Sequence, residues 1–389
     1  SFMDATTDDS KSATKLDNIG FAFPFPTRQG SFVVAFGYNR ASDYTTALSF
    51  NGFNPNSSII PSLYDSDEYY DVPFKVYLEN SNGYTPITRN VNQSAVVKET
   101  GGLGNWSFAA AIDVAKDVSF GVTLNVLSGS YTYQRNYLEE DTRNVYANTQ
   151  AQLPADSAYL RFNKFYYDSD IEDDISGVNA LFGMMYRSDR FRFGLTIKTP
   201  SAVKVSETYT DAGQSIFDAN YNPGATQYSY TADNEYGITS PWTFGAGVSV
   251  EPLNGLILAG DIDYADWTEI EWTNNKDLEK QNTDLAKQYR GVTNLRLGAE
   301  YEIPSIGVRL RGGYMINPSP FAGDPSSFDV KTVTAGAGVL LQNNVLLDLG
   351  VALGSFNTFH TAYQDQLFPP RTYESVDTRR VNFSVSYRF

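Results

Sequence analysis

The sequence predicts an all-β chain, a transmembrane antiparallel β-barrel of about 14 strands with short turns at one end and long loops at the other. Three observations carry this. First, in the closing stretch Val381–Phe389, residues Val381, Phe383, Val385, Tyr387 and Phe389 fall on one side of an extended strand. Asn382, Ser384, Ser386 and Arg388 fall on the other. Alternation that runs into a terminal aromatic suits the last strand of a barrel, and taken alone also a half-buried strand of a soluble sandwich. Second, the 389 residues include 27 Tyr, 25 Phe and 30 Gly but only 4 Met, at a mean hydropathy of −0.34. That is awkward for a soluble core and natural for an apolar outer band with aromatic girdles around a polar lumen. Third, tight turns alternate with long polar segments.

The tight turns fall near Thr27–Gly30, Ala115–Asp117, Ser188–Arg190, Glu251–Gly255, Pro304–Gly307 and Gln342–Asn344, each with the Gly, Pro, Asn or Asp that hairpins require. Extracellular loops are expected near 51–103, 136–170, 208–227, 273–290, 318–329 and 361–374. This division of short and long connections is that of bacterial outer-membrane barrels. No apolar run approaches the roughly 18 residues of a spanning helix. The strand count reaches about 14 if residues 1–7 are the outer end of a first strand, so anything preceding that strand is expected to be missing. No signal peptide is visible at Ser1-Phe2-Met3-Asp4.

Composition also excludes. There are no cysteines, hence no disulfides and no thiolate metal site. A net charge of −16, from 45 acidic and 29 basic residues, argues against nucleic acid as a partner and for solvated acidic loops. His360 is the only histidine, and Thr358-Phe359-His360-Thr361 has no recognisable catalytic surroundings, so no enzyme is expected. No cofactor or metal is expected. The acidic run Asp168–Asp174 lacks the Gly and terminal Glu of an EF-hand loop, and reads as a solvated or lipopolysaccharide-bridging rim.

Within the strands, charges mark the lumen face. Asp261 and Asp263 alternate with Leu258, Ile262 and Tyr264; Arg296 and Glu300 with Leu295, Leu297 and Tyr301; Arg309 and Arg311 with Leu310 and Tyr314. Arg or Lys facing lipid at mid-membrane costs roughly 2–4 kcal/mol, so the apolar set faces out. The six charges are expected to pair across strands, either filling the lumen or forming a solute-selective ring.

Candidate ligand contacts are the mixed loop 51–103, through Phe74, Tyr77 and Leu78, and a helix over 276–289, through Leu278 and Leu285 on one face. Both segments either form a greasy capture surface or simply cover the barrel mouth. A lateral exit is placed at Asn39, Arg40, Ser42 and Asp43, which interrupt the alternation of Phe32, Val34, Phe36 and Tyr38. The competing reading is that the strand leaves the membrane there.

Several segments together resemble the FadL/TodX family of outer-membrane transporters for fatty acids and aromatic hydrocarbons. They are Leu16–Pro24, Val118–Val126, the Phe193–Pro200 strand, similar to the family's "G-L-x-Y-x-S-P", and Leu258–Trp267, similar to its "Y-x-x-W" strand end. The resemblance implies a 14-stranded barrel, a greasy extracellular groove, a kinked third strand that opens the wall sideways, and an N-terminal hatch. The hatch motif has no counterpart here, since the Asn-Pro steps at Asn54-Pro55, Asn222-Pro223 and Asn317-Pro318 lie in loop positions. The function it implies is passive uptake of hydrophobic small molecules. The alternatives are a scaffold barrel partnering another envelope protein, and a diffusive porin. Membrane lipid, lipopolysaccharide and a hydrophobic ligand are the other partners expected.

Overall fold

The computed structural model describes residues 1–27, 30–146, 162–217, 226–304, 306–342, 344–365 and 367–388. The expected turn tips at 28–29, 305 and 343, the loop portions at 147–161 and 218–225 with Asn222-Pro223, and the terminal Phe389 lie outside the described residues.

Strand segments dominate. The first are β1 (Asn18–Phe25), β2 (Phe32–Asp43) and β3 (Thr46–Asn54), then the long β4 (Val91–Ala115), β5 (Val118–Glu140) and β6 (Phe162–Arg187). Next come β7 (Phe191–Lys198), β8 (Ala202–Phe217), β9 (Gln227–Thr239), β10 (Thr243–Leu253), β11 (Leu256–Asp266) and β12 (Glu271–Thr273). The last are β13 (Gly291–Ile303), β14 (Val308–Asn317), β15 (Val330–Leu341), β16 (Val345–Thr361) and β17 (Arg371–Tyr387). All pairing is antiparallel.

Four crossings are broken in mid-course. Thus β2 and β3 share β4 as a neighbour, β7 and β8 share β6, β10 continues β9, and β12 continues β11. The 17 segments therefore make thirteen crossings among the described residues. The sheet curls, because Arg135 on β5 donates to the carbonyl of Ala362, just past β16, at 2.9 Å. β17 meets the N-terminal segment, where Ser1 and Tyr373 exchange backbone hydrogen bonds.

The faces follow the period of two. Leu124, Phe182, Leu258, Leu297, Leu310 and Leu349 stand outward and exposed, a contiguous apolar belt too large for a water-facing surface. Asp261, Arg296, Arg311 and Asp348 take the inner face.

The expected loop bounds are corrected: 91–103, 136–140, 162–170 and 208–217 are not loop but ladder, with Asn136 opposite Asp168 and Glu140 opposite Lys164. A tilted crossing needs 9–11 residues, whereas β4, β5 and β6 have 25, 23 and 26, so they rise well past the apolar belt. Beyond it, both faces of a sheet tolerate polar residues. The acidic run accordingly alternates, with Asp170, Glu172 and Asp174 on the exposed face and Asp173 turned inward. The helix expected over 276–289 is also two pieces, α2 (Lys276–Glu279) and α3 (Asn282–Gln288). The break falls where Asn282 turns away to hold both the N–H and the carbonyl of Trp272 at 2.8 and 3.0 Å.

Replacing Leu297, 51% exposed on the outer belt, with Arg should cost about 2–4 kcal/mol of stability in lipid. Arg in place of the inward Thr334 should cost far less. Denaturant titration of both variants in phospholipid vesicles checks the face assignment.

Candidate functional site

Three features lie along the axis of the sheet: an inner charge ladder, a packed cap over the mouth, and a break in the wall. In the charge ladder, Arg296 Nη1 reaches Asp261 at 2.6 Å and Asp263 at 2.5 Å. Arg311 Nε meets Glu300 at 2.6 Å, and its Nη1 binds Asp348. Arg309 Nε pairs with Glu302 at 2.9 Å and lies 4.0 Å from Glu300. All six lumen charges read from the sequence are brought together, on three adjacent strands, because in-register antiparallel pairing places same-face residues side by side. Glu302 and Asp348 were missed. The signal for Asp348 was there, as the lone charge in the alternating run Val345–Val351.

Residues 55–90 fold back over the mouth and form a core of their own. Ile59, Ile60, Val72, Val76, Leu78 and Ile87 pack with Phe50, Tyr137, Phe165 and Tyr230 from the wall. Glu139, at the upper end of β5, anchors this cap. It is fully buried and accepts from Ser58 Oγ at 2.5 Å, Ile59 N at 2.7 Å, Gln93 Nε2 at 2.8 Å and Tyr137 Oη at 3.1 Å. Tyr363, beyond β16, is drawn in by Gln93 at 2.6 Å and Ser57 at 2.9 Å, and Ser215 on β8 holds the Val76 carbonyl at 2.6 Å. The mouth is tied down from several sides.

Of the proposed ligand contacts, Leu78 sits in the cap's own core, 3% exposed. Phe74 belongs to α1 (Val72–Lys75), whose N-terminus is capped by Asp71 accepting from Phe74 N at 3.0 Å. Phe74 and Tyr77 are half-buried, and Tyr77 adopts φ +63°. Leu278 and Leu285 are half-buried on α2 and α3, which pack on β12, while α1 packs on β8 and β9. The structure places these two groups on different elements, the helices against β12 and the cap against β8 and β9.

The wall breaks at the expected strand. The register between β2 and β4 shifts between Arg40 and Ser42, a bulge, and Tyr44-Thr45 separates β2 from β3. Opposite it stand Gly101, at φ +113°, and Gly102. A side chain at Gly102 would lie 2.7 Å from the Ser42 carbonyl, so only glycine admits the bulge. On the other edge β1 pairs β2 only up to Asn39. Beyond that, residues 7–17 follow β3 through side chains instead of a ladder. Thr7 Oγ1 donates to Ser49 O, Ser49 N donates to Asp9 at 2.8 Å, and Lys15 bridges Asp43 at 2.6 Å and Thr45 at 2.7 Å. Arg40 crosses the gap, its N–H donating to Asp17 O at 2.8 Å.

No family model and no curated protein matches the chain. Solved structures do. The P. putida toluene transporter TodX matches with a TM-score of 0.51 at 13% identity, over 92% of this chain and 82% of that one. A Pseudomonas aeruginosa FadL homologue matches with a TM-score of 0.50 at 11% identity, over 95% of this chain and 77% of that one. The chain has a FadL/TodX-like fold.

Two predictions concern the cap. Glu139→Ala strands Ser58 Oγ and Ile59 N without a buried acceptor and should weaken docking by about 3 kcal/mol. Limited proteolysis should then cut within 55–90 while the strands stay protected. Glu79, also buried in the cap, faces Asp71. Burial, with Asp71 beside it, pushes the Glu79 carboxyl up to about 9, and Asp71 is raised too. The docked cap thus holds a proton that the undocked loop releases at ordinary carboxylate pH. Docking should weaken as pH climbs from near 5 toward 9. Glu79→Gln should flatten that dependence, read as hydrogen-exchange protection of 72–79 across the range.

Proposed function

We propose that this chain is a passive transporter of hydrophobic small molecules in a bacterial outer membrane, working without a cofactor and without catalysis. The observation that carries the reading is the side break beside β2 and β3. Beside β2 and β3 a bulge, a strand interruption and an edge held largely by side chains coincide at one height. Lipid leaves unpaired backbone groups unsatisfied at several kcal/mol each, so a barrel keeps such a break only where it is used or shielded. The capped mouth above supports the same direction of travel. A solute that enters by the apolar loops finds no straight aqueous route and leaves through the side, into the bilayer it prefers. The half-buried Phe74 and Tyr77 offer first contact, since burying apolar surface yields about 25 cal/mol per Å². The similar structures are a toluene transporter and a FadL homologue, which favours such cargo.

The second reading, a scaffold barrel that docks another envelope protein, is favoured by the density of ties between cap and wall. An open porin is disfavoured by the same ties.

Deleting Ala41 removes the extra residue of the bulge and lets β2 run in register through Leu103 toward Gly102 and Gly101. Uptake of radiolabelled toluene by cells producing this variant should fall at least tenfold, with heat-modifiable gel mobility showing the barrel intact. Unchanged uptake in the intact variant would move the function to the scaffold reading.

A further inference from the structure

Between the cap and the charge ladder, the inner face of β4 to β9 carries a second constellation that the transport reading leaves unused. Asp173 and Glu207 stand opposite each other on β6 and β8, and Tyr131 on β5 faces Asp173. Asp173 Oδ1 is buried and takes no hydrogen bond from the protein. Asp211 accepts from Tyr230 Oη at 2.8 Å, Glu207 faces Tyr236 Oη at 3.5 Å, and Glu99 accepts from Thr46 Oγ1 at 2.9 Å. Tyr230 also packs on Tyr69 and Tyr70 of the cap at 5.7 and 5.1 Å, and meets Tyr209 edge-on at 6.0 Å. Anything passing from the cap into the lumen therefore moves past tyrosine rings backed by four carboxylates.

The nearby cations are mostly turned elsewhere, though Arg135 Nε is buried without a hydrogen-bond partner. Arg135 donates to Ala362 O at 2.9 Å and lies over the rings of Tyr167 and Tyr137 at 5.2 and 6.0 Å. Lys11 donates to the backbone carbonyls of Glu99 and Thr46 at 3.0 and 3.5 Å. A carboxylate ligand would meet four acids here against one unpartnered guanidinium nitrogen, Arg135 Nε, a net repulsion. An uncharged ring meets the faces and edges of tyrosines whose hydroxyls are held by the acids, the arrangement aromatic pairs prefer.

We propose that this chamber makes the protein selective for aromatic compounds that carry no negative charge and turns carboxylates, fatty acids among them, away. The inference rests on the transport reading for its role in uptake, while selectivity in binding stands on the chamber alone. Benzyl alcohol and benzoate share a ring and nearly a size and differ in charge, so they are the probes. Purified full-length protein, followed by tyrosine and tryptophan fluorescence at neutral pH, should bind benzyl alcohol at least about tenfold more tightly than benzoate. Cells producing it should take up radiolabelled benzyl alcohol faster than control cells, and benzoate no faster. The variant carrying Asp173→Asn and Glu207→Gln should gain about tenfold for benzoate, so that the preference for benzyl alcohol over benzoate largely disappears. Tyr230→Leu should weaken benzyl alcohol instead. Equal binding of the two probes, or a preference that the double variant leaves unmoved, overturns the proposal. Selective binding without faster uptake of either probe supports the chamber and overturns the transport reading.

Discussion

Backbone hydrogen bonding sets the terms for every other feature of this molecule. A wall with a lipid-compatible exterior must satisfy each N–H and C=O from within the sheet, because hydrocarbon offers no alternative. Where the ladder is interrupted, side chains substitute. Pro200 and Pro241 remove donors from two adjacent crossings. There Thr199 Oγ1 accepts from Ala180 N at 3.0 Å, Ser240 Oγ accepts from Ser201 N at 2.9 Å, and Asn179 reaches Ser201 Oγ at 3.0 Å. These breaks are sealed. At Tyr44-Thr45, Tyr44 N donates to Gly101 O at 3.4 Å and Thr45 N to Asp43 at 3.0 Å. The outer edge is held by Lys15, Asp9 and Thr7, on a segment without strand pairing, and by Arg40 N donating to Asp17 O. The contrast between a sealed and a latched interruption is the physical basis for treating the second as a passage.

The same requirement explains why the cap is built as it is. A loop of 36 residues, 55–90, lying over a polar lumen cannot leave its own backbone unpaired. It borrows acceptors from the wall, Glu139 above all, and lines its underside with aliphatic side chains that meet Phe50, Phe165 and Tyr230. Glu139 is thus both a cap for the turn at Ile59 and the junction of β4, β5 and the loop after β16. A charge in that position orients three elements at once, which no apolar residue could do.

The fold was legible because strand alternation survives in any single sequence. Leu295-Arg296-Leu297 states its inner and outer faces without reference to neighbours, and so the charge ladder could be read strand by strand. Strand ends were not legible. Past the apolar belt, Tyr133–Glu140 and Asp168–Asp174 alternate polar with polar, and a charge run in a strand looks like a charge run in a loop. The cap was legible only as a loop with too much apolar surface. Which residues it buries depends on Glu139 and Tyr363, 224 positions apart in the chain by their numbers, and such pairings leave no local trace. The chamber acids were invisible for the same reason: Glu99, Asp173, Glu207 and Asp211 become one group only when four strands are laid side by side.

The lumen is therefore not one environment but two, and the difference bears on mechanism. In the charge ladder, arginines and carboxylates alternate across β11 to β16 and their fields largely cancel beyond a few ångströms. In the chamber, the carboxylates are spread over β4, β6 and β8 and the cations are turned to carbonyls and rings, so a net negative field remains. A cancelled network gives rigidity to the side of the barrel opposite the break, while an uncancelled one acts on whatever passes. On the proposed transport reading, a chamber under the cap and beside the latched edge would place discrimination before release. There a ligand still in contact with protein can be sorted by charge, since no such sorting is possible once it is in lipid.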